Sequence, residues 1–221
     1  MKLKICGMKY RNNIKAVAEL QPDYLGFIFY RKSTRYFSGK IPKLPESTKK
    51  VGVFVNDSLS RIVLKIAKHG LDAIQLHGNE SPKFCESFKK SEIIKGIERG
   101  VDFKHQFKVI KAFSIGSNFD FCQLKDYEEV CDYFLFDTKG KLPGGNGYTF
   151  DWSILQNYKL SKPYFLSGGI GLQESKKIEE FIKQPAAKYC HAIDVNSRFE
   201  IEPGEKKTEL LKQFKNRLNQ N

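Results

Sequence analysis

Short apolar runs that favour β-strands alternate with helix-compatible stretches along the chain, and this alternation is the strongest constraint on its fold. No linker-like stretch interrupts the series. The pattern therefore predicts parallel α/β architecture in one domain over residues 1–221. The eight predicted strands lie at residues 3–6, 24–29, 51–55, 73–76, 109–113, 133–137, 163–167 and 192–195.

The fifth strand has two candidate segments. Residues 93–97 and residues 109–113 both have strand-like sequences. The second segment leaves the usual spacing to the sixth strand, so we predict the strand there. Residues 92–107 then form an unusually long connection, either a prolonged helix or an added hairpin strand.

A closed (β/α)8 barrel and an open doubly wound sheet both satisfy this alternation, and the polar strand ends distinguish them. Cys6, Asp137, Ser167 and Asp194 each end a different predicted strand. Barrel enzymes collect their chemistry from the carboxyl ends of several strands, whereas an open sheet concentrates it at one crevice. We therefore predict a single (β/α)8 TIM barrel.

The chain is strongly basic, with 38 Lys and Arg against 25 Asp and Glu and a net charge of +13. Such a surface can attract nucleic acid, or it can concentrate a small anionic substrate. The basic residues are spread over predicted helix faces, and the aromatic residues lie mostly within strands. We expect no nucleic-acid partner, and salt-dependent binding to nonspecific DNA would support the alternative.

Membrane and secretion signals are not evident in the sequence. No apolar run approaches the roughly 20 residues that span a bilayer, and the N-terminal apolar part is too short for a secretory signal. The five cysteines are dispersed and show no zinc-like spacing. We expect no membrane association, no metal and a cytoplasmic location. Monomer and homodimer are both compatible with the sequence.

Two loops after the last predicted strands indicate an anion site. Residues 167–169 (Ser-Gly-Gly) precede a helix that begins at about Gln173, and residues 194–197 (Asp-Val-Asn-Ser) end the eighth strand. Glycines let backbone amides approach an anion, and a helix N-terminus adds a favourable dipole. Loops after strands seven and eight of a barrel commonly bind phosphate. We therefore expect a phosphorylated small-molecule substrate.

Cys6 and Asp137 are the candidate acid–base pair. The thiolate is the useful form of a cysteine, and a positive, phosphate-binding site can lower the thiol pKa. A carboxylate that follows apolar residues, as Asp137 does, can have a raised pKa and act as a general acid. Each also has a plain structural interpretation, a packed thiol and a capping carboxylate.

Three further features follow predicted strands. Arg35 comes after the second strand, and its guanidinium suits bidentate capture of a carboxylate, although an exposed loop arginine is equally compatible. His77 closes the fourth strand and is more typical of a satisfied rim histidine than of a catalytic one. Residues 139–148 are glycine-rich and basic, which is typical of a mobile lid.

Several segments, taken in order, resemble the phosphoribosylanthranilate isomerase family. The ordered set covers nearly the whole chain, and this makes the resemblance specific although no single segment is decisive. Residues 4–7 read Lys-Ile-Cys-Gly and residues 75–78 read Gln-Leu-His-Gly. The other matching segments are residues 26–29, 33–36, 51–56, 136–138, 144–152, 166–169, 194–197 and 203–204.

The resemblance implies an Amadori rearrangement of N-(5′-phosphoribosyl)anthranilate. Asp137 would protonate the ribose ring oxygen and open the ring to a Schiff base, and Cys6 would then remove the C2′ proton. Arg35 would hold the anthranilate carboxylate. No metal or organic cofactor is implied, because the substrate's own imine is the electron sink. The sugar would lie near Asp194, and the phosphate would be cradled by Gly168, Gly169, Asn196 and Ser197.

The chain departs from the family pattern at a few positions. Thr34 stands where proline is usual, Asn146 where a small hydroxyl residue is usual, and Lys206-Lys207 where a Lys-Asp pair is common. These changes bear on the loops and on the start of the last helix. A related aminoaldose phosphate isomerase of histidine synthesis would use a similar reaction with paired aspartates, and Cys6 in place of a first-strand aspartate argues against it.

Overall fold

Eight parallel strands close into a barrel in sequence order, with the first strand paired to the last. The computed structural model describes residues 1–90, 107–138 and 150–219. The predicted (β/α)8 barrel is confirmed. The strands are β1 (Lys2–Ile5), β2 (Tyr24–Ile28), β3 (Lys49–Phe54), β4 (Ala73–Leu76), β5 (Lys108–Ile115), β6 (Tyr133–Thr138), β7 (Tyr164–Leu166) and β8 (Cys190–Val195).

The helices pack around the outside of the strands, and α2 shows why its sequence forms a helix. The Ser58 hydroxyl accepts the Arg61 backbone N–H at the start, and Gly70 ends the helix in the left-handed conformation, as its position predicts. The described α-helices are α1 (Arg11–Glu19), α2 (Leu59–His69), α3 (Pro82–Lys90), α4 (Lys125–Glu128), α5 (Ser175–Ile182) and α6 (Thr208–Asn219).

The structure places the fifth strand at β5, in agreement with the choice of residues 109–113. β5 pairs in parallel with both β4 and β6, so it occupies the fifth position of the barrel. The competing segment at 93–97 and the long connection lie outside the described residues, apart from Phe107. The predicted lid at 139–148 also lies outside them.

Strand residues alternate between the inside of the barrel and the helix layer. Val51, Ala73 and Leu135 belong to a small buried cluster, and each lies two positions before a residue that lines the barrel mouth. This cluster is therefore the packed layer inside the barrel, directly beneath the mouth. A larger cluster fills the space between strands and helices.

The chain after β8 covers one side of the barrel mouth. A 3₁₀ turn (Ser197–Phe199) leads into a hairpin of β9 (Glu200–Glu202) and β10 (Glu205–Lys206). The last helix then begins at Thr208, directly after Lys207, and buries Leu211, Phe214 and Leu218. Among the described residues, no helix is long and apolar enough to cross a membrane.

Candidate active site

The polar strand ends meet in one cavity at the carboxyl end of the barrel, as predicted. The cavity opens to solvent. Apolar side chains from β2 and β3, among them Ile28 and Val53, form one wall. The polar and glycine residues that line it are Cys6, Tyr30, Ser33, Gln75, His77, Asp137, Ser167, Gly168, Gly169, Asp194, Asn196 and Ser197.

Cys6 follows β1 directly and is buried in the cavity wall. Its sulfur packs over Gly26, where a Cβ would lie only 2.7 Å from Sγ, so glycine is needed beside the thiol. Burial raises the pKa of the Cys6 thiol, and the positive charges of Lys4 and Lys206 oppose that effect. The thiol is therefore placed to exchange a proton with a ligand in the cavity.

Asp137 is buried near the end of β6, and both of its carboxylate oxygens have neighbours. Oδ1 accepts the Thr138 backbone N–H at 2.9 Å, and Oδ2 lies 3.4 Å from Nε2 of His77. The other ring nitrogen of His77 lies 2.7 Å from the Gln75 side-chain nitrogen. Both ring nitrogens of His77 therefore have a polar neighbour, in agreement with the interpretation of His77 as a hydrogen-bonded rim histidine. One of these neighbours is Asp137.

A buried ion pair lies at the seam between β1 and β8. Lys4 Nζ is 2.9 Å from Asp194 Oδ1, and the two residues are direct partners in the strand register. Burial raises the pKa of Asp194, and the positive charge of Lys4 opposes that effect. Sequence reasoning missed Lys4, although its spacing of two from Cys6 on one strand places both on the same face.

The loops after β7 and β8 face the same cavity. Gly168 and Gly169 have φ values of +95° and +66°, a backbone region that favours glycine. A Cβ on Gly168 would lie 2.1 Å from the Thr138 hydroxyl oxygen, so no side chain fits there. A 3₁₀ turn (Leu172–Glu174) opens the segment where a helix from about Gln173 was expected, and it continues into α5.

Arg35 lies at the edge of the cavity and outside its lining residues. Its Nε and Nη2 donate three hydrogen bonds of 2.7–3.0 Å to the Glu200 carboxylate. Glu200 also accepts from the buried Lys206 ammonium at 2.7 Å, and Lys206 donates to Asn196 Oδ1 at 2.7 Å. One charged network therefore connects Arg35 with the loop after β8.

Sequence reasoning singled out neither Glu200 nor a role for Lys206 in this network. Burial lowers the pKa of Lys206 to about 8, and the adjacent Glu200 carboxylate opposes that effect. Gly7 fits between the two parts of the network, because a Cβ there would lie 2.6 Å from Asn196 Oδ1 and 2.9 Å from Arg35 Cδ. Glycine at position 7 (φ +76°) thus leaves room for Arg35 and Asn196 to approach the backbone closely.

The site therefore combines a thiol, a carboxylate and two glycine or small-polar loops around one cavity. A thiol and a carboxylate on different strands can remove and supply protons at two points of one ligand. The glycine-containing loop can present backbone amides to an anion. The geometry suits acid–base chemistry on a small phosphorylated molecule.

Comparison with known proteins agrees with this geometry. The family model described as N-(5′-phosphoribosyl)anthranilate (PRA) isomerase matches residues 3–217. N-(5′-phosphoribosyl)anthranilate isomerase of Parabacteroides distasonis is 42% identical, over 97% of this chain and 91% of that protein. The crystal structure of phosphoribosyl anthranilate isomerase from Thermotoga maritima is 30% identical, with a TM-score of 0.77 and complete coverage of both chains.

A further similar structure carries a ligand. It is phosphoribosyl anthranilate isomerase in complex with reduced 1-(o-carboxyphenylamino)-1-deoxyribulose 5-phosphate, with 27% identity, a TM-score of 0.74 and complete coverage of both chains. The family model and the 42% identical relative both extend over nearly all of the present sequence. The chain therefore belongs to the N-(5′-phosphoribosyl)anthranilate isomerase family.

Proposed function

We propose that this barrel converts N-(5′-phosphoribosyl)anthranilate to 1-(2-carboxyphenylamino)-1-deoxyribulose 5-phosphate in tryptophan biosynthesis, with Asp137 as general acid and Cys6 as general base. The observation that carries the proposal is that both groups line one cavity with the loops after β7 and β8. Family membership supports the reaction, and the related structure with a reduced carboxyphenylamino sugar phosphate supports the ligand class.

The first step opens the ribose ring. Asp137 in its protonated form gives its proton to the ring oxygen, and the bond from that oxygen to C1′ breaks. The nitrogen lone pair forms the C1′=N bond of a protonated Schiff base, and Asp137 becomes a carboxylate. The Thr138 amide and the His77 ring lie beside that carboxylate and orient it.

The second step removes the C2′ proton. The Cys6 thiolate takes the proton, and the C–H electron pair forms a C1′=C2′ bond while the C=N electrons return to nitrogen. The resulting enolamine then gains a proton at C1′ and loses one from its hydroxyl, which yields the ketone. Atoms and electrons balance without an external oxidant, since the iminium of the substrate accepts the electron pair.

Binding residues surround these two groups. The phosphate would be held by the loops that contain Gly168–Gly169 and Asn196–Ser197, and Asp194 would lie near the sugar, because all five line the cavity. Arg35 would receive the anthranilate carboxylate at its Nη1 edge, since Nε and Nη2 donate to Glu200.

The remaining expectations concern partners and location. Free cysteines at all five positions suit a reducing compartment, which supports a cytoplasmic location. The cavity supports a phosphorylated small molecule as the partner, and nucleic acid is not required by any feature of it. Cell fractionation and filter binding to nonspecific DNA at low salt test these two expectations.

Loss of substrate fluorescence, followed with purified protein, tests the reaction. We expect Cys6→Ser and Asp137→Asn each to lower kcat by about 10²- to 10⁴-fold, the usual contribution of a placed acid or base. Cys122→Ser is the matched control, because Cys122 is exposed and lies outside the cavity. No turnover by the unmodified protein would overturn the function, and full turnover in either site variant would overturn the assigned roles.

A further inference from the structure

Lys4 carries a charge at a core position beneath the active-site cavity. It is fully buried on β1, and it lies two residues before Cys6, so the two side chains lie on the same side of the chain. The neighbouring strands fill the same level of the barrel with apolar side chains. Burial of an ammonium group is costly unless another charge compensates it, so this lysine requires a specific explanation. The apolar members of this layer include Val51, Ala73, Leu135, Phe165 and Ala192.

The partner of Lys4 explains only part of its position. Nζ lies 2.9 Å from Asp194 Oδ1, but within the described residues neither atom has a hydrogen bond of regular geometry. The contact is therefore an ion pair that engages at most one of the three ammonium donors of Lys4. An ammonium group with unused donors, held next to a cavity, is available to another negative group.

Cys6 is the group that would use this charge. The described residues that line the cavity include no lysine or arginine, and among the described cations Lys4 and Lys206 act on the thiol. Lys206 is already committed to Glu200 and to Asn196. Of these two lysines, only Lys4 has ammonium N–H groups that are not already donated to another described residue.

The other charged groups around the thiol favour or oppose ionisation to different extents. Burial raises the pKa of Cys6 most, the positive charge of Lys4 is the largest opposing influence, and Asp194 on β8 acts with burial. Lys206 on β10 opposes burial more weakly than Lys4. Asp137 and His77 face the same cavity from β6 and the end of β4, and they pair with each other.

We propose that Lys4 is a positioning residue for the base: its ammonium group, anchored by Asp194, stabilises the thiolate of Cys6. This rests on the proposed function, in which Cys6 removes a proton. The thiol gives its proton to solvent before the substrate binds, and Lys4 keeps its own proton throughout. The negative charge on sulfur then faces the positive charge of Lys4, and Asp194 keeps that charge in place.

Alkylation of Cys6 by iodoacetamide as a function of pH tests the proposal, with modification read by mass spectrometry of the Cys6 peptide. Lys4→Met keeps the length of the side chain and removes its charge. We expect the midpoint of the pH profile to rise by about one unit, so that alkylation at pH 7 slows about tenfold. Lys4→Arg should retain the original midpoint, and Lys2→Met on the exposed start of β1 is the matched control.

Two further measurements guard against misfolding. The double variant Lys4→Met/Asp194→Asn removes both charges and leaves no unpaired carboxylate, and its midpoint should also exceed that of the unmodified protein. In isotope-labelled protein, the Lys4 ε-methylene resonance should shift at the Cys6 midpoint, and Cys6→Ser should abolish that step. An unchanged alkylation midpoint in folded Lys4→Met would overturn the proposal. The same holds if the Lys4 ε-methylene resonance shifts with pH in the same way in the unmodified protein and in Cys6→Ser.

Turnover separates this inference from the proposed function. Alkylation needs no substrate, so a raised midpoint together with an inactive unmodified protein would remove the function and leave the charge effect standing. With active protein, Lys4→Met should lower kcat at pH 7 and move the acid limb of the kcat/KM profile to higher pH, with a smaller change in KM. If Lys4 served only for packing, the acid limb of the kcat/KM profile of Lys4→Met would lie at the same pH as that of the unmodified protein.

Discussion

Nε2 of His77 lies 3.4 Å from Oδ2 of Asp137, so the carboxylate proposed as the general acid has a ring nitrogen beside it. The other carboxylate oxygen accepts the backbone N–H of Thr138, and the far side of the ring meets Gln75. Groups from the fourth and sixth strands therefore hold the carboxylate plane before any ligand enters. Such support is typical of catalytic groups, which need a fixed orientation.

His77→Ala should lower kcat by about 10- to 100-fold, the equivalent of one lost interaction with a charged group. KM should change less, because the ring acts through Asp137. Steady-state turnover over a range of substrate concentrations gives both constants. His191→Ala is the control: His191 lies near the opposite end of the barrel, where its ring contacts the Tyr24 hydroxyl, and kcat should be unchanged. A normal kcat in His77→Ala would contradict the support assigned to this ring.

Gly168→Ala should destabilise the loop after β7. The φ of +95° and the approach of Thr138 leave no room for a methyl group, and strained backbone of this kind costs about 1–3 kcal/mol. Urea unfolding should show the loss, and KM for the phosphorylated substrate should rise. Gly39→Ala is the matched control, since its added Cβ would meet nothing closer than 3.5 Å. Equal stability of the two variants would show that the loop can relax.

Glu200→Gln should lower the free energy of unfolding by about 3–5 kcal/mol, because it leaves the buried Lys206 ammonium without its counter-charge. KM should rise as well, since Arg35 and Asn196 lose their common anchor. Chemical denaturation and steady-state kinetics measure the two effects. Asp57→Asn serves as the control. It weakens a more exposed ion pair with Arg61 at 3.7 Å, and no measurable change in stability is expected.

Stability should fall as the pH decreases from about 6.5 to about 4. Burial and the nearby charges of Lys65, Lys68 and Lys50 lower the pKa of His69 to about 4. The unfolded chain therefore binds a proton below about pH 6.5 that the folded protein excludes until about pH 4. The contribution of neutral His69 to stability is fully present above the pKa of its side chain in the unfolded chain, about 6.5, and is lost as the pH falls to about 4.

Urea unfolding between pH 7 and pH 5 measures the effect, and His69→Phe should flatten the dependence. Phenylalanine keeps a ring against Phe29, whose centroid lies 5.1 Å from that of His69. His191, whose pKa burial also lowers to about 4, continues to contribute in that variant. Glu200 also affects the pH dependence of stability, but at lower pH than the histidines, because its pKa lies below the usual carboxyl value. A flat profile in the unmodified protein would contradict the assignment.

The sequence was sufficient to predict the barrel because the relevant signals are local. Alternation of apolar runs and helical stretches is encoded within a few residues, and the cap at Ser58 and the end at Gly70 depend on neighbouring positions only. The fifth strand needed one non-local argument, the spacing to the sixth. Cys6, Asp137 and the loops at 168–169 and 196–197 were predicted to share a site because parallel strands bring their carboxyl ends together.

The charged network could not be predicted in the same way. Arg35 and Glu200 are far apart in sequence, and their contact exists only because the barrel brings the second strand near the segment after the eighth. Lys4 and Lys206 have side chains that are typical of surfaces, so residue type argued against their burial. The spacing of Lys4 from Cys6 was the one local signal, and it becomes informative only once the strand's inner face is known.

The seam between β1 and β8 also determines when this site comes into existence during protein synthesis. β1 is translated early, but its second neighbour, β8, leaves the ribosome only after the other strands. Until then Lys4 has no carboxylate to pair with, and β1 presents an open edge that can attach to other chains. A nascent chain that lacks β8 therefore has neither the completed cavity nor the compensated charge, and both are acquired together when the last strand is added.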